Sequence, residues 1–129
     1  MNNPKHILII EDERPILDVL KEKLEKEGYV VHYASDGVMG LKVAKEIHPS
    51  LILLDVLMPN MDGMTMLKLL REDEWGKDAK VVVLTNVSSE SEDILQKVAE
   101  YQPTYYLSKS DWRLDAVADK VRELTSETE

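Results

Sequence analysis

Leu51-Ile52-Leu53-Leu54-Asp55-Val56-Leu57-Met58-Pro59-Asn60-Met61-Asp62-Gly63 joins an apolar run, a carboxylate, a Pro-containing loop and an Asp-Gly turn. Four apolar residues in a row, Leu51 to Leu54, read as a strand buried on both faces. That pattern belongs to a parallel sheet with helices on each side. The strand ends in a carboxylate, Asp55. An unpaired charge out of water is costly, so a carboxylate at this position needs a reason. A Pro-containing loop follows, and Asp62-Gly63 forms a turn that opens a helical pattern. Asp55 therefore stands where a strand stops and the chain turns, at the carboxyl edge of a sheet. In open α/β sheets ligands bind along that edge.

The chain of 129 residues fits one compact domain, and an apolar content of 43% is enough for a core. There is no cysteine, so disulfides and thiolate metal sites are excluded, in keeping with a reducing compartment. No run approaches transmembrane length, and Met1-Asn2-Asn3-Pro4-Lys5 lacks the apolar core of a signal peptide. The expectation is a cytoplasmic, soluble protein. A formal net charge of -9 argues against direct nucleic-acid binding, where a basic face supplies most of the affinity. It mainly keeps the protein soluble.

Working outward, His6 to Ile10 is a buried strand that ends at Glu11-Asp12. Pro15 suits a first helical turn. Ile16, Leu17, Leu20 and Leu24 share one helical face, and Gly28 is placed to end the helix. Tyr29 to Ala34 is a strand of mixed polarity, suited to a place near the sheet edge. Asp36 or Ser35 caps the next helix, whose stripe is Val38, Leu41, Ala44 and Ile47, and His48-Pro49 stops it. A third helix runs from about Met64 to Glu72, followed by a loop at Trp75-Gly76-Lys77-Asp78. Val81 to Leu84 is a second strand buried on both faces, ending at Thr85-Asn86. Ser89-x-x-Glu92 resembles a capping box, and Ile94, Leu95, Val98 and Tyr101 line the helix after it. Thr104 to Leu107 is a short strand ending at Ser108-Lys109-Ser110. Asp111 caps the last helix, with Leu114, Val117, Ala118, Val121 and Leu124 inward. Five strands alternating with five helices mean a doubly wound parallel sheet with right-handed crossovers.

The strand ends carry the chemistry. They are Glu11-Asp12, Asp55, Thr85 and Lys109. In the flavodoxin-like order 2-1-3-4-5 the first and third strands are neighbours at the switch point. Three carboxylates then share one cleft and repel unless a cation joins them. All the side-chain ligands are oxygens, so a hard divalent ion fits, Mg²⁺ with retained waters best. Lys109 brings a positive charge and Thr85 a hydroxyl, which together can hold the oxygens of a phosphoryl group on or near Asp55.

This pattern resembles the receiver domain of bacterial two-component response regulators (CheY-like) over essentially the whole chain, residues 1–129. The matching pieces are Glu11-Asp12, the run from Asp55 through Met58-Pro59 to Asp62-Gly63, Val83-Leu84-Thr85, and Tyr106-Leu107-Ser108-Lys109. The resemblance implies that Asp55 is the phosphoacceptor, attacking a phosphohistidine as a carboxylate nucleophile. It implies that Glu11, Asp12 and Asp55 hold Mg²⁺ together with the backbone carbonyl of Leu57. It implies that Lys109 pairs with the phosphoryl group, that Thr85 moves toward it, and that Tyr106 swings into the space Thr85 leaves. The partners implied are a sensor histidine kinase or phosphotransfer protein and a downstream protein. That protein would meet the face made by the fourth helix, fifth strand and fifth helix. A monomer or a phosphorylation-promoted dimer is implied, with no membrane and no direct nucleic-acid contact. No catalysis is expected beyond the domain's own phosphoryl transfer and dephosphorylation. Its place is a single-domain response regulator or the receiver portion of a larger one.

The sequence departs from the family in places. Ser110 stands where the family usually has a proline after a cis bond, and a cis bond before a non-proline costs about 3 kcal/mol. The expectation is a retained cis Lys109-Ser110 bond, with a trans bond and rearranged loop as the other outcome. Asn86 is larger than the usual small residue, and Gln102-Pro103 replaces the usual Gly-Ala. In the family, the side chains two after the acceptor aspartate and two after the threonine influence how readily water attacks the phosphoaspartate. The resemblance puts Leu57 and Val87 there, both apolar, which implies slow self-dephosphorylation.

Plainer readings stand beside these. Acids at Glu11-Asp12 suit a helix N-terminus, and the acidic Glu90 to Asp93 suits another. Met58, Met61, Met64 and Met66 read as packing. Trp75 and Trp112 carry no assigned role, and His6, His32 and His48 are scattered without ligand spacing. The rival function is a receiver-fold module that binds partners without phosphorylation. A flavin carrier or phosphohydrolase of similar fold is disfavoured, because no Gly-rich phosphate loop follows the first strand.

Overall fold

β1 (His6–Ile10) and β3 (Leu51–Asp55) lie side by side at the centre of a parallel sheet. The computed structural model describes residues 4–55, 63–85, 100, 103–108 and 113–126. β2 (Val30–Ala34) flanks β1, β4 (Val81–Thr85) flanks β3, and β5 (Tyr105–Ser108) adds to the far side of β4. The order is β2-β1-β3-β4-β5. Four helices accompany it among the described residues: α1 (Arg14–Lys26), α2 (Gly37–Ile47), α3 (Gly63–Glu72) and α4 (Leu114–Thr125). Of the helix expected around Ser89 to Tyr101 only Glu100 is among the described residues, and it is helical.

The unbroken apolar runs explain the two layers. Successive strand residues point to opposite faces, so runs without a polar position build a core on each side. Leu8, Ile10, Ile52, Leu54, Val81 and Val83 pack under α2 and α3 with Met66, Leu67 and Leu70. Ile7, Ile9, Leu51, Leu53, Val82 and Leu84 pack under α1 and α4 with Leu17, Leu20, Val117 and Val121. Each such side chain, fully buried, contributes about 1.5–3 kcal/mol.

Local chemistry sets the helix ends. Pro15 lies in the first turn of α1. Gly28 follows its end at φ +98, where its N–H donates to Glu25 O at 3.0 Å and that of Tyr29 to Leu24 O at 3.2 Å. Asp36, rather than Ser35, caps α2: its Oδ1 accepts from Met39 N at 2.9 Å. α2 stops at His48, a non-glycine residue at φ 48.

Three expectations are corrected. Residues 75–78 are not a plain loop, because Gly76–Asp78 forms a turn of 3-10 helix. Asp73 Oδ2 organises it by accepting from Trp75 N at 3.0 Å and Gly76 N at 2.9 Å. Arg71 closes it by donating to Gly76 O at 2.7 Å and Ala79 O at 2.9 Å. The fifth strand starts one residue late, at Tyr105. Thr104 Oγ1 accepts from Val81 N at 3.0 Å, so a side chain takes one place in the ladder. The last helix has extended Arg113 at its N-cap, with no side-chain capping bond, and Asp111 lies outside the described residues. No helix among the described residues is long and apolar enough to cross a membrane.

Candidate functional site

Ile10 pairs with Leu54 across the β1–β3 boundary. The next residue on each strand is acidic, Glu11 and Asp55, so the register sets the two carboxylates level. Glu11 is held in place because its N–H donates to Ala34 O at 3.0 Å, carrying the β1–β2 ladder one residue beyond the strand. Asp12 follows and faces solvent. Glu11 is 1% and Asp55 4% exposed. A carboxylate oxygen from each of Glu11, Asp12 and Asp55 lies within 4.8 Å of the others.

Burying charge here needs compensation. Oε2 of Glu11 accepts from Glu13 N at 3.1 Å at the entry to α1, where the helix end carries partial positive charge. Two unit charges within 4.8 Å of each other still repel by about 3.5 kcal/mol or more at an effective dielectric of about 20. A divalent cation reverses the sign of that term. The donors fit one of the hard type: all are carboxylate oxygens, two are buried and the third opens to water, where a strongly hydrated ion keeps part of its shell.

The structure thus brings together the three acidic residues read from the sequence. Thr85 and Tyr106 have their backbones in β4 and β5, with Thr85 paired to Ser108 and Tyr106 to Val83. Their side chains, together with Leu57, Asn86, Val87, Lys109, Ser110 and the Lys109-Ser110 bond, fall outside the described residues.

Sequence spacing missed two features. Arg14 lies 5.6 Å over the ring of Tyr33, two residues from Asp12, and pairs with Asp18 at 3.0 Å. The histidines are not scattered in space. His6, His32 and His48 line one cavity of about 300 Å³ with Lys5, Ile47 and Ser50. The signal was available only through topology: β1 beside β2, with Leu8 opposite His32, sets His6 and His32 on one face. Trp75, without a role in the sequence, stacks on His48 with ring centroids 4.4 Å apart.

Residues 7–122 match the family model described as the response regulator receiver domain. The chain belongs to that family. As a receiver domain it is a part of two-component signalling. Over 79 residues it is 43% identical to the DNA-binding dual master transcriptional regulator RpaA of Synechocystis sp. (strain ATCC 27184 / PCC 6803 / Kazusa). That match takes in 61% of this chain and 33% of the relative, so the receiver domain spans about a third of the curated protein it matches. A receiver domain protein (CheY-like) from Methanospirillum hungatei JF-1 superposes with TM-score 0.86 at 26% identity, covering 95% of this chain and 94% of that one. The receiver domain of a sensor histidine kinase from Pseudomonas aeruginosa PAO1 has a magnesium ion coordinated in its active site cleft. It superposes with TM-score 0.84 at 21% identity over 95% of this chain and 98% of that one, a likeness of fold.

Proposed function

We propose that this receiver domain, residues 1–129, accepts a phosphoryl group on Asp55 from a histidine kinase or phosphotransfer protein. The observation that carries the reading is the meeting of Glu11, Asp12 and Asp55 within 4.8 Å at the carboxyl edge of the sheet. An oxygen of Asp55 attacks phosphorus. The P–N bond of the donor breaks, its electron pair stays on the imidazole nitrogen, and that nitrogen takes a proton. Glu11, Asp12 and Asp55, with the Leu57 carbonyl, would hold Mg²⁺. The bound ion supplies positive charge against the phosphoryl oxygens and the carboxylates. Lys109 pairs with the phosphoryl group from the other side, and Thr85 donates its hydroxyl. Chemistry of this kind is mostly positioning and charge neutralisation, which a rigid strand end provides for Asp55.

Thr85 and Tyr106 then couple the site to the face formed by the segment after β4, β5 and α4, where a downstream protein docks. The setting is cytoplasmic. The chain acts as monomer or phosphorylation-promoted dimer, without direct contact to nucleic acid or membrane.

Beryllofluoride tests the site without requiring phosphoryl transfer, because it mimics an acyl phosphate on an aspartate. The expected result is saturable binding that needs Mg²⁺ and is abolished by Asp55→Asn. A folded protein that binds none of it in Mg²⁺ contradicts the reading and favours a phosphorylation-independent interaction module.

A further inference from the structure

The cavity at the amino-terminal edge of the sheet lies at the other end of β1 from Glu11, about 16 Å along five strand residues. Its chemistry differs from that of the acidic site. His6 Nδ1 and His32 Nε2 approach to 2.9 Å, with ring planes within 15° and centroids 5.1 Å apart. One ring N–H donates to the lone pair of the other. Both side chains leave the sheet on the α2 side, as the register of Leu8 with His32 requires.

Imidazole nitrogens suit late first-row divalent ions such as Zn²⁺, and here two of them face each other at 2.9 Å. We propose that His6 and His32 form a second metal site, selective for ions such as Zn²⁺ over Mg²⁺, with water completing the coordination. Nitrogens bound to one Zn²⁺ at about 2.0 Å lie about 3.3 Å apart in a tetrahedron. The observed pair has to open by about 0.4 Å, and the donor ring has to shift its proton to its other nitrogen, so that both lone pairs face the ion. His6 is exposed and His32 half-buried, so the rings have room to turn. Metal ligation needs neutral imidazole, and His32 is held below its ordinary value, mainly by burial and then by the charge of His6. His48 lines the cavity but is stacked on Trp75, so it forms a wall rather than a ligand. A net charge of -9 favours the approach of cations.

The test is calorimetric titration of the full chain with Zn²⁺ alone, in wild type, His6→Gln, His32→Gln and Asp55→Asn. Circular dichroism serves as the check that each variant is folded. The expected result is saturable binding in the micromolar range, about tenfold or more weaker in either histidine variant. It should also weaken on acidification, because protons compete for the same lone pairs, and persist in Asp55→Asn. Binding that disappears in Asp55→Asn but survives both histidine substitutions places the ion at the acidic cluster and overturns the proposal. Absence of saturable binding below millimolar Zn²⁺ overturns it as well.

Discussion

Glu11 stands level with Asp55 because the residues before them, Ile10 and Leu54, are register partners on adjacent central strands. The core and the site are built from the same pairing. The branched side chains that hold β1 against β3 also bring two buried carboxylates together, and the sharp entry into α1 adds Asp12 to them.

Mg²⁺ should stabilise the fold, and Asp12 should be needed for it. Asp12 is exposed, so Asp12→Asn leaves the core intact. At Mg²⁺ about 100 times its Kd, wild type gains about 2.7 kcal/mol. The variant should show a Kd about tenfold or more weaker. Urea unfolding with and without Mg²⁺ checks both, and an equal Mg²⁺ gain in the two proteins contradicts the assignment.

The turn between α3 and β4 tolerates no side chain at Gly76. A Cβ there would land on the Leu70 carbonyl and within 2.8 Å of Leu70 Cδ1. Gly76→Ala should cost about 1–3 kcal/mol through overpacking. Arg71→Ala should cost a similar amount, because it leaves the Gly76 and Ala79 carbonyls without their charged donor. Denaturant midpoints measure both, and wild-type midpoints would contradict the contacts.

Stability should fall on mild acidification, in part through His32. Its folded value lies below the ordinary 6.5, so the unfolded state takes up the proton first. The contribution is fully present above the unfolded value and is lost as pH falls through it toward the folded one. Urea midpoints between pH about 7.5 and 5 should decline, and His32→Gln should flatten the decline. An unchanged slope in the variant contradicts the prediction.

The acyl phosphate on Asp55 should persist. Leu57 and Val87, two residues after Asp55 and two after Thr85 in the sequence, are apolar, and an apolar side chain cannot orient an attacking water. Loss of label from phosphorylated protein should be slow, and a half-life of seconds contradicts this.

Much of the fold was legible because the strands announce themselves. His6–Ile10, Leu51–Asp55 and Val81–Thr85 are apolar runs whose only polar residues stand at their ends, and in two-layer packing that pattern has one meaning. The acidic site was legible for the same reason, since its residues terminate those runs. What escaped was set by contacts distant in sequence or by side chains replacing backbone. Thr104 occupies a ladder position with its hydroxyl, Asp73 and Arg71 wind residues 76–78 into a turn, and His6 meets His32 only through the β1–β2 pairing. Hydropathy patterning carries none of that information.

Intact mass after incubation with acetyl phosphate and Mg²⁺, with Asp55→Asn as control, reads out phosphoryl acceptance by Asp55 itself. The expected result is a gain of one phosphoryl group that requires Mg²⁺ and is absent from the variant. Equal phosphorylation of wild type and Asp55→Asn, or none in a folded wild type that also fails to bind beryllofluoride, would contradict it.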